Sequence, residues 1–370
     1  MNSVKLAVFV SPHGFGHAAR ACAVMEAVRD QQPGAHFEIF TLVPRWFFSD
    51  SLGGGFRHHP LRTDVGLVQR TTLHEDPAAT AEALERFVPF DPAAVRLLAD
   101  LVVATGCRGV LADISPLGIA VGRAAGLPVA LVENFLWSWV YEAYLGAVPA
   151  LGRPLLALAE EFARATHRVR CEPACGPGDG SRIVPPISRR PRAGREATRQ
   201  ALGVPEGRPL VLVTMGGTPW VPASLEPLRR RSDVTFVIPG GAGSHRRQAN
   251  LELLPHHSQF YHPDLVAAAD AVIGKVGYST VAETFRAGVP LGYVPRERFP
   301  ESPVIERFIR ERMQGVAVTA REAETSGWVE RLDALLAMPR RPGNGSGAAA
   351  AAALVLRAVG APAAPPSVAR

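Results

Sequence analysis

The sequence predicts an α/β protein of two domains, each built on a parallel sheet, and three observations carry that expectation. At 370 residues the chain is longer than one hydrophobic core usually serves. Strand-like and helix-like apolar patterns alternate through the first half, as β–α–β units require. The alternation stops in a stretch rich in Cys, Pro, Gly and Arg and then begins again. These breaks set expected boundaries at 1–165 for a first domain, 166–195 for a linker, 196–340 for a second domain and 341–370 for a terminal helix and tail.

The elements follow in order. KLAVFV at 5–10 is a short buried strand, a helix runs from about 17 to 30, and FEIFTLV at 37–43 is a second strand. GVLADIS at 109–115 is a strand ending in an acid. A helix through Arg123 leads from it to the strand PVALVEN at 128–134. CGPGDGS at 175–181 and VPPISRRPRAG at 184–194 have no amphipathic period and read as linker. Strands then recur at RPLVLVTMGGT (208–218), VTFVIPG (234–240), ADAVIG (269–274) and PLGYVP (290–295). An Ala-rich helix at 348–359 and a Pro-rich tail at 361–370 close the chain.

Composition narrows the function. Hydrophobic residues make up 47% and charged residues 20%, the balance of a chain that folds around a core. The longest apolar run near the C-terminus, 347–356, falls short of the roughly 18 residues that cross a bilayer. Residues 6–10 lead into a Gly/His loop instead of a small-residue cleavage site, which reads as a strand and not a leader. Four cysteines are too few for a disulfide framework, so a cytoplasmic location is expected. Cys171 and Cys175 have no second Cys/His pair at zinc-site spacing, and no metal is expected. The net charge of +6 is spread over short clusters at 189–192, 229–231 and 340–341, which argues against nucleic acid as a partner. Lysine occurs only at positions 5 and 275, which makes Lys275 a residue to explain. Nothing in the sequence sets the oligomeric state.

Two loops carry the chemistry. In SPHGFGHAAR (11–20) a strand ends, Gly14 and Gly16 permit a tight turn close to a ligand, and His17 opens a helix at the carboxyl edge of the sheet. An imidazole there can take a proton from a hydroxyl, with Asp113 as its orienting acid. In an alternative reading His17 and Asp113 only cap helices, and His13 is a competing base. The glycine spacing is not that of a dinucleotide fingerprint, because Ala19 holds the third position.

The second loop is Lys275-Val276-Gly277-Tyr278-Ser279-Thr280, between the strand ADAVIG and a helix carrying Glu283. A diphosphate fits such a helix start. Gly277 allows close backbone approach, Tyr278, Ser279 and Thr280 open the helix with free donors, and Lys275 neutralises charge. Glu283, one turn in, is expected to accept two ribose hydroxyls. Gly216, Gly217 and Thr218 form a further turn at the same sheet edge, and Arg296 and Glu297 follow the next strand, placed to meet sugar or phosphate. Glu283 and Lys275 also admit an ordinary reading as exposed surface charges.

The run at 269–308, ADAVIGKVGYSTVAETFRAGVPLGYVPRERFPESPVIERF, resembles the glycosyltransferase-like N-terminal region of plant-type L-arabinokinases. HGFGHAAR, the stretch 112–144 and VPPISRRPR at 184–192 extend the likeness over nearly the whole chain. GFGHAAR and GYSTVAE are more distantly similar to motifs of the N-acetylglucosaminyltransferase that makes lipid II. The resemblance implies a GT-B fold, with two Rossmann-like parallel-sheet domains facing each other across a cleft. It also implies a catalytic loop at Gly14, Gly16 and His17, phosphate contacts at Gly216, Gly217, Lys275, Gly277 and Thr280, and donor ribose on Glu283. The arabinokinases continue into a sugar-kinase domain. Nothing after Pro339 supplies one, so a free-standing relative without kinase activity is expected. These transferases usually read sugar hydroxyls with an Asp-Gln or Gln-Gln pair, where this chain has Glu297 and Glu301 among arginines. That departure leaves the donor sugar open. The expected activity is metal-independent transfer, with inversion, from a nucleoside diphosphate sugar, UDP-linked, to a small hydroxylated acceptor, with no cofactor beyond that co-substrate. A nucleotide-sugar hydrolase or epimerase, and a non-catalytic nucleotide-sugar-binding module, are the alternatives.

Overall fold

A computed structural model describes residues 3–71, 73–178, 180–217, 220–345 and 347–360. They form two compact units. One gathers the described residues of Met1–Gln69, Glu75–Ser188 and Ser346–Arg370, and the other those of Arg70–His74 and Arg189–Gly345.

The first unit holds seven parallel strands among the described residues: β1 (Lys5–Val10), β2 (His36–Phe40), β3 (Phe56–His59), β4 (Val110–Asp113), β5 (Val129–Glu133), β6 (His167–Cys171) and β7 (Arg182–Val184). Their order across the sheet is β3-β2-β1-β4-β5-β6-β7. β1 and β5 are buried along nearly their whole length, as in a sheet covered by helices on both faces. Phe9 of β1 stacks on Phe40 of β2 with ring centroids 4.5 Å apart. The helix Pro116–Ala124 lies flush on this sheet because it carries Gly118 and Gly122. A Cβ on Gly118 would come within 2.5 Å of the Phe9 side chain, and one on Gly122 within 2.4 Å of Val129.

The stretch read as a linker, 166–195, instead contributes β6 and β7, and the unit boundary falls between Ser188 and Arg189. HRVRC in β6 escapes a hydrophobicity pattern because Arg168 is used as an ion-pair partner, its Nε donating to Glu133 Oε1 at 2.9 Å. The helix Gly347–Ala358 belongs to the first unit and packs on the helix Phe15–Gln31. Gln31 Nε2 donates to the Ala349 carbonyl at 3.1 Å. The tail at 361–370 lies outside the described residues.

The second unit holds β8 (Leu210–Thr214), β9 (Thr235–Pro239), β10 (Arg246–Gln248), β11 (Leu251–Leu254), β12 (Ala271–Lys275), β13 (Leu291–Val294) and β14 (Gly315–Ala317), in the order β10-β11-β9-β8-β12-β13-β14. All pairings are parallel except β10 with β11. Alternate residues feed the cores on the two faces: Leu210, Leu212 and Val272 on one, Val211, Val213 and Ile273 on the other. Setting aside the edge strand β10, both sheets run third, second, first, fourth, fifth, sixth. The strand order therefore reverses between β1 and β4 and between β8 and β12, the positions where such sheets bind ligands.

Candidate functional site

At the first reversal point β1 runs into Ser11–Gly14, and the helix Phe15–Gln31 starts. Gly14 has φ 72°, a left-handed turn that glycine adopts without strain. Gly16 lies inside the first helical turn, so one glycine makes the turn where two were expected. His17 is buried and faces the end of β4, its Nδ1 3.2 Å from Asp113 Oδ1. The capping alternative does not describe these residues. Gly14 occupies the N-cap of the helix that carries His17, and Ser115 caps the helix after β4, accepting from the Gly118 N–H at 3.2 Å.

Arg20, one turn beyond His17, was missed by sequence reasoning and is the most connected side chain here. It is 1% exposed. Its Nε donates to Asp113 Oδ2 at 2.8 Å and its Nη2 to Oδ1 at 2.6 Å, a two-pronged pair, while Nη1 donates to Asn134 Oδ1 at 2.6 Å. Burial works to raise the Asp113 carboxyl, but the Arg20 charge and the His17 and Arg20 hydrogen bonds outweigh it and hold the acid below the usual carboxylate range. With an Nδ1–H donated to the ionised Asp113, His17 Nε2 is left to accept a further proton; Arg20 Nη2, which can only donate, also stands 3.3 Å from Nδ1. The spacing His17-Ala18-Ala19-Arg20 puts both side chains on one helix face, which was the available signal.

Aromatic rings enclose the imidazole. Phe135 and Trp137 each stand 6.1 Å from it between ring centroids, and His13 6.4 Å. Asp64, also unforeseen, lies fully buried beside Ser11 and Trp137. One oxygen accepts the Val65 N–H at 2.7 Å, and hydrogen bonds from the Ser11 and Trp137 side chains also act on the carboxylate. Burial pushes its carboxyl up to about 7 against those bonds. The turn that carries it crosses the His loop, since a Cβ on Gly66 would meet the His13 side chain at 2.7 Å.

At the second reversal point β8 ends in Thr214 and the chain turns at Gly216, φ 73°, whose N–H reaches Thr214 Oγ1 at 3.2 Å. Gly217 follows; Thr218 lies outside the described residues. β12 ends at Lys275, and Gly277 precedes the helix Tyr278–Ala287, which has no side-chain cap. Tyr278, Ser279 and Thr280 form the first turn of this helix. Lys275 lies over Gly216, where an added Cβ would be 3.7 Å from the lysine Cε. Burial and the neighbouring Arg296 charge lower the Lys275 ammonium to about 7. Arg296 is buried, stacked 3.6 Å over the Phe299 ring, with Nη2 3.4 Å from Glu301 Oε2. Glu297 is exposed and is not part of this group.

Glu283 carries two protein partners of its own. Its Oε1 accepts from Arg189 Nε at 3.0 Å and its Oε2 stands 2.8 Å from His262 Nδ1, so both oxygens expected to meet ribose are engaged within the protein. Against the rise that burial brings, the Arg189 charge and the His262 bond hold this acid below the ordinary range. Arg189 comes from VPPISRR, a run whose composition alone reads as linker.

No family model matches the chain. Among curated proteins, L-arabinokinase from Arabidopsis thaliana is 27% identical over 343 residues, covering 88% of this chain and 32% of that protein. The chain thus spans about a third of that relative's length. Among solved structures, the spinosyn forosaminyltransferase SpnP superposes with TM-score 0.60 at 18% identity, covering 97% of this chain and 95% of that one. A Polygonum tinctorium UDP-glucosyltransferase capable of glucosylating indoxyl superposes with TM-score 0.59 at 12% identity, covering 98% and 99%. The chain has the GT-B fold. In GT-B terms the His17 loop belongs to the N-terminal Rossmann-like unit and the Lys275 loop to the C-terminal one. Among the described residues no group of three or more His, Cys, Asp or Glu side chains could hold a metal ion, and no helix is long and apolar enough to cross a membrane.

Proposed function

We propose that this GT-B chain is a glycosyltransferase, moving a sugar from a nucleoside diphosphate sugar, UDP-linked, to a small hydroxylated acceptor with inversion and without a metal. The observation that carries the reading is the His17–Asp113–Arg20 group, an imidazole held by an ionised acid at the point where strand order reverses. His17 Nε2 takes the acceptor's hydroxyl proton. The acceptor oxygen bonds to the anomeric carbon as the bond to the diphosphate breaks, and the diphosphate leaves with the electron pair. Charge growing on the leaving group is met by Lys275, Arg296 and the helix N-terminus that follows Gly277.

The donor contact least supported by the geometry is ribose on Glu283, because Arg189 and His262 hold that carboxylate. We assign Glu283 instead to fixing those two side chains beneath the donor loop. His262 Nε2 stands 3.4 Å from Thr214 Oγ1, which in turn accepts the Gly216 N–H.

Incubation with a panel of nucleotide sugars and small alcohols, with product analysis, tests the activity. Sugar appearing on the acceptor, and lost in His17→Ala, upholds transfer. Donor cleavage that is indifferent to the acceptor indicates a hydrolase, and binding without turnover indicates a sensing module.

A further inference from the structure

Lys275 differs from every other cation described near either loop. Arg20 is bound by Asp113, Arg189 by Glu283 and Arg296 by Glu301, but among the described residues no hydrogen bond or ion pair reaches the Lys275 side chain. It sits at the end of β12, half-buried, over the Gly216 turn and two residues before the uncapped helix start at Gly277. Two charged groups act on it, the Arg296 guanidinium with the larger effect and Glu301, which faces Arg296. A half-buried ammonium beside a guanidinium, without an acid of its own, has two ways to be stable. It can shed its proton, or it can gain an anion.

We propose that the anion site of the second unit is proton-linked: with the site empty Lys275 gives up its proton readily, and it takes one from solvent together with an arriving diphosphate. The amine and the solvent proton become an ammonium, whose N–H groups donate to the phosphate oxygens, and no covalent bond changes. This inference deepens the donor-site reading. It gives the chain a phosphate site whose full positive charge is assembled only on binding. The ligand-free site then holds one full positive charge, on Arg296, against the negative charge of Glu301, and the second is completed by the proton taken up with the ligand.

The test uses the full chain and needs no nucleotide. Because the only lysines are Lys5 and Lys275, competitive trace acylation followed by peptide mass spectrometry reads the titration of each amine separately. Without ligand, Lys275 is expected to gain reactivity with a midpoint near pH 7, while Lys5 serves as an internal reference. Saturating inorganic pyrophosphate should move the Lys275 midpoint toward the ordinary lysine value of about 10.4 and leave Lys5 unchanged. Pyrophosphate affinity should also fall at least tenfold more between pH 7 and pH 9 in wild type than in Lys275→Arg, which stays charged throughout. A Lys275 midpoint in the ordinary lysine range overturns the proposal, as does a midpoint that pyrophosphate does not move. UDP separates the two ideas. If pyrophosphate shifts the midpoint and UDP does not bind, the proton link stands and the nucleotide reading falls. If UDP binds and the midpoint stays in place, the reverse holds.

Discussion

The two reversal points share a strand order and differ in how their charges are settled. In the first unit Asp113, Arg20 and His17 form a closed set, each charge answered by a partner from another element and all of it buried. In the second unit Glu283 is equally closed by Arg189 and His262, but Lys275 is left open at the end of β12. A closed set fixes geometry, and an open cation waits for a charge from outside. One fold repeated in one chain thus offers a place to hold a proton-transfer group and a place to receive an anion, and the difference lies in side chains at equivalent strand ends.

Breaking the first set should have the largest effect. His17→Ala is expected to lower transfer by a factor of about 10²–10⁴, the usual worth of a positioned base, with donor affinity measured by calorimetry changing less than twofold. Loss of donor affinity with turnover retained would reverse the roles given to the two loops. Arg20→Met leaves Asp113 buried without its cation and should cost about 3–5 kcal/mol in denaturant unfolding. A loss under 1 kcal/mol would mean that the pair is not the anchor described.

Asp64 sharpens the comparison from inside the first unit, since it is a buried acid outside the closed set. A carboxyl raised to about 7 when folded, against 3.8 unfolded, contributes stability that is complete below about pH 4 and is lost as pH rises through 7. Asp64→Asn should remove that dependence, so that relative to wild type the variant gains on the order of 4 kcal/mol between pH 4 and pH 8. Parallel stability curves for the two proteins would show that Asp64 titrates normally. The smallest effect expected is at Gly216, whose φ of 73° makes Gly216→Ala cost about 1–2 kcal/mol of stability.

Much of the fold was legible because parallel strands are short apolar runs at regular intervals, and KLAVFV, GVLADIS and ADAVIG show them plainly. β6 and β7 were not: HRVRC alternates with Arg168 and Arg170, which meet Glu133 of the neighbouring strand, and RIV is only three residues long with an exposed Arg182. Asp113 was legible as an acid ending a strand and His17 as a polar residue opening the helix after one, positions that predict a ligand edge. Arg20, Asp64, Arg189 and His262 were not. An Arg one turn into a helix or after a proline pair looks like surface charge until the fold brings Asp113 or Glu283 to it. Glu283 illustrates the converse: its motif is clear, but its availability depends on Arg189, which the sequence alone does not place.

The most direct measurement is thermal stabilisation of wild type, His17→Ala and Lys275→Met by UDP and UDP-sugars. A ligand at a hundredfold its Kd adds about 2.7 kcal/mol. The account predicts that a UDP ligand stabilises wild type and His17→Ala alike and that Lys275→Met loses most of the gain. Equal stabilisation of Lys275→Met, or none of wild type by any member of the panel, would contradict it.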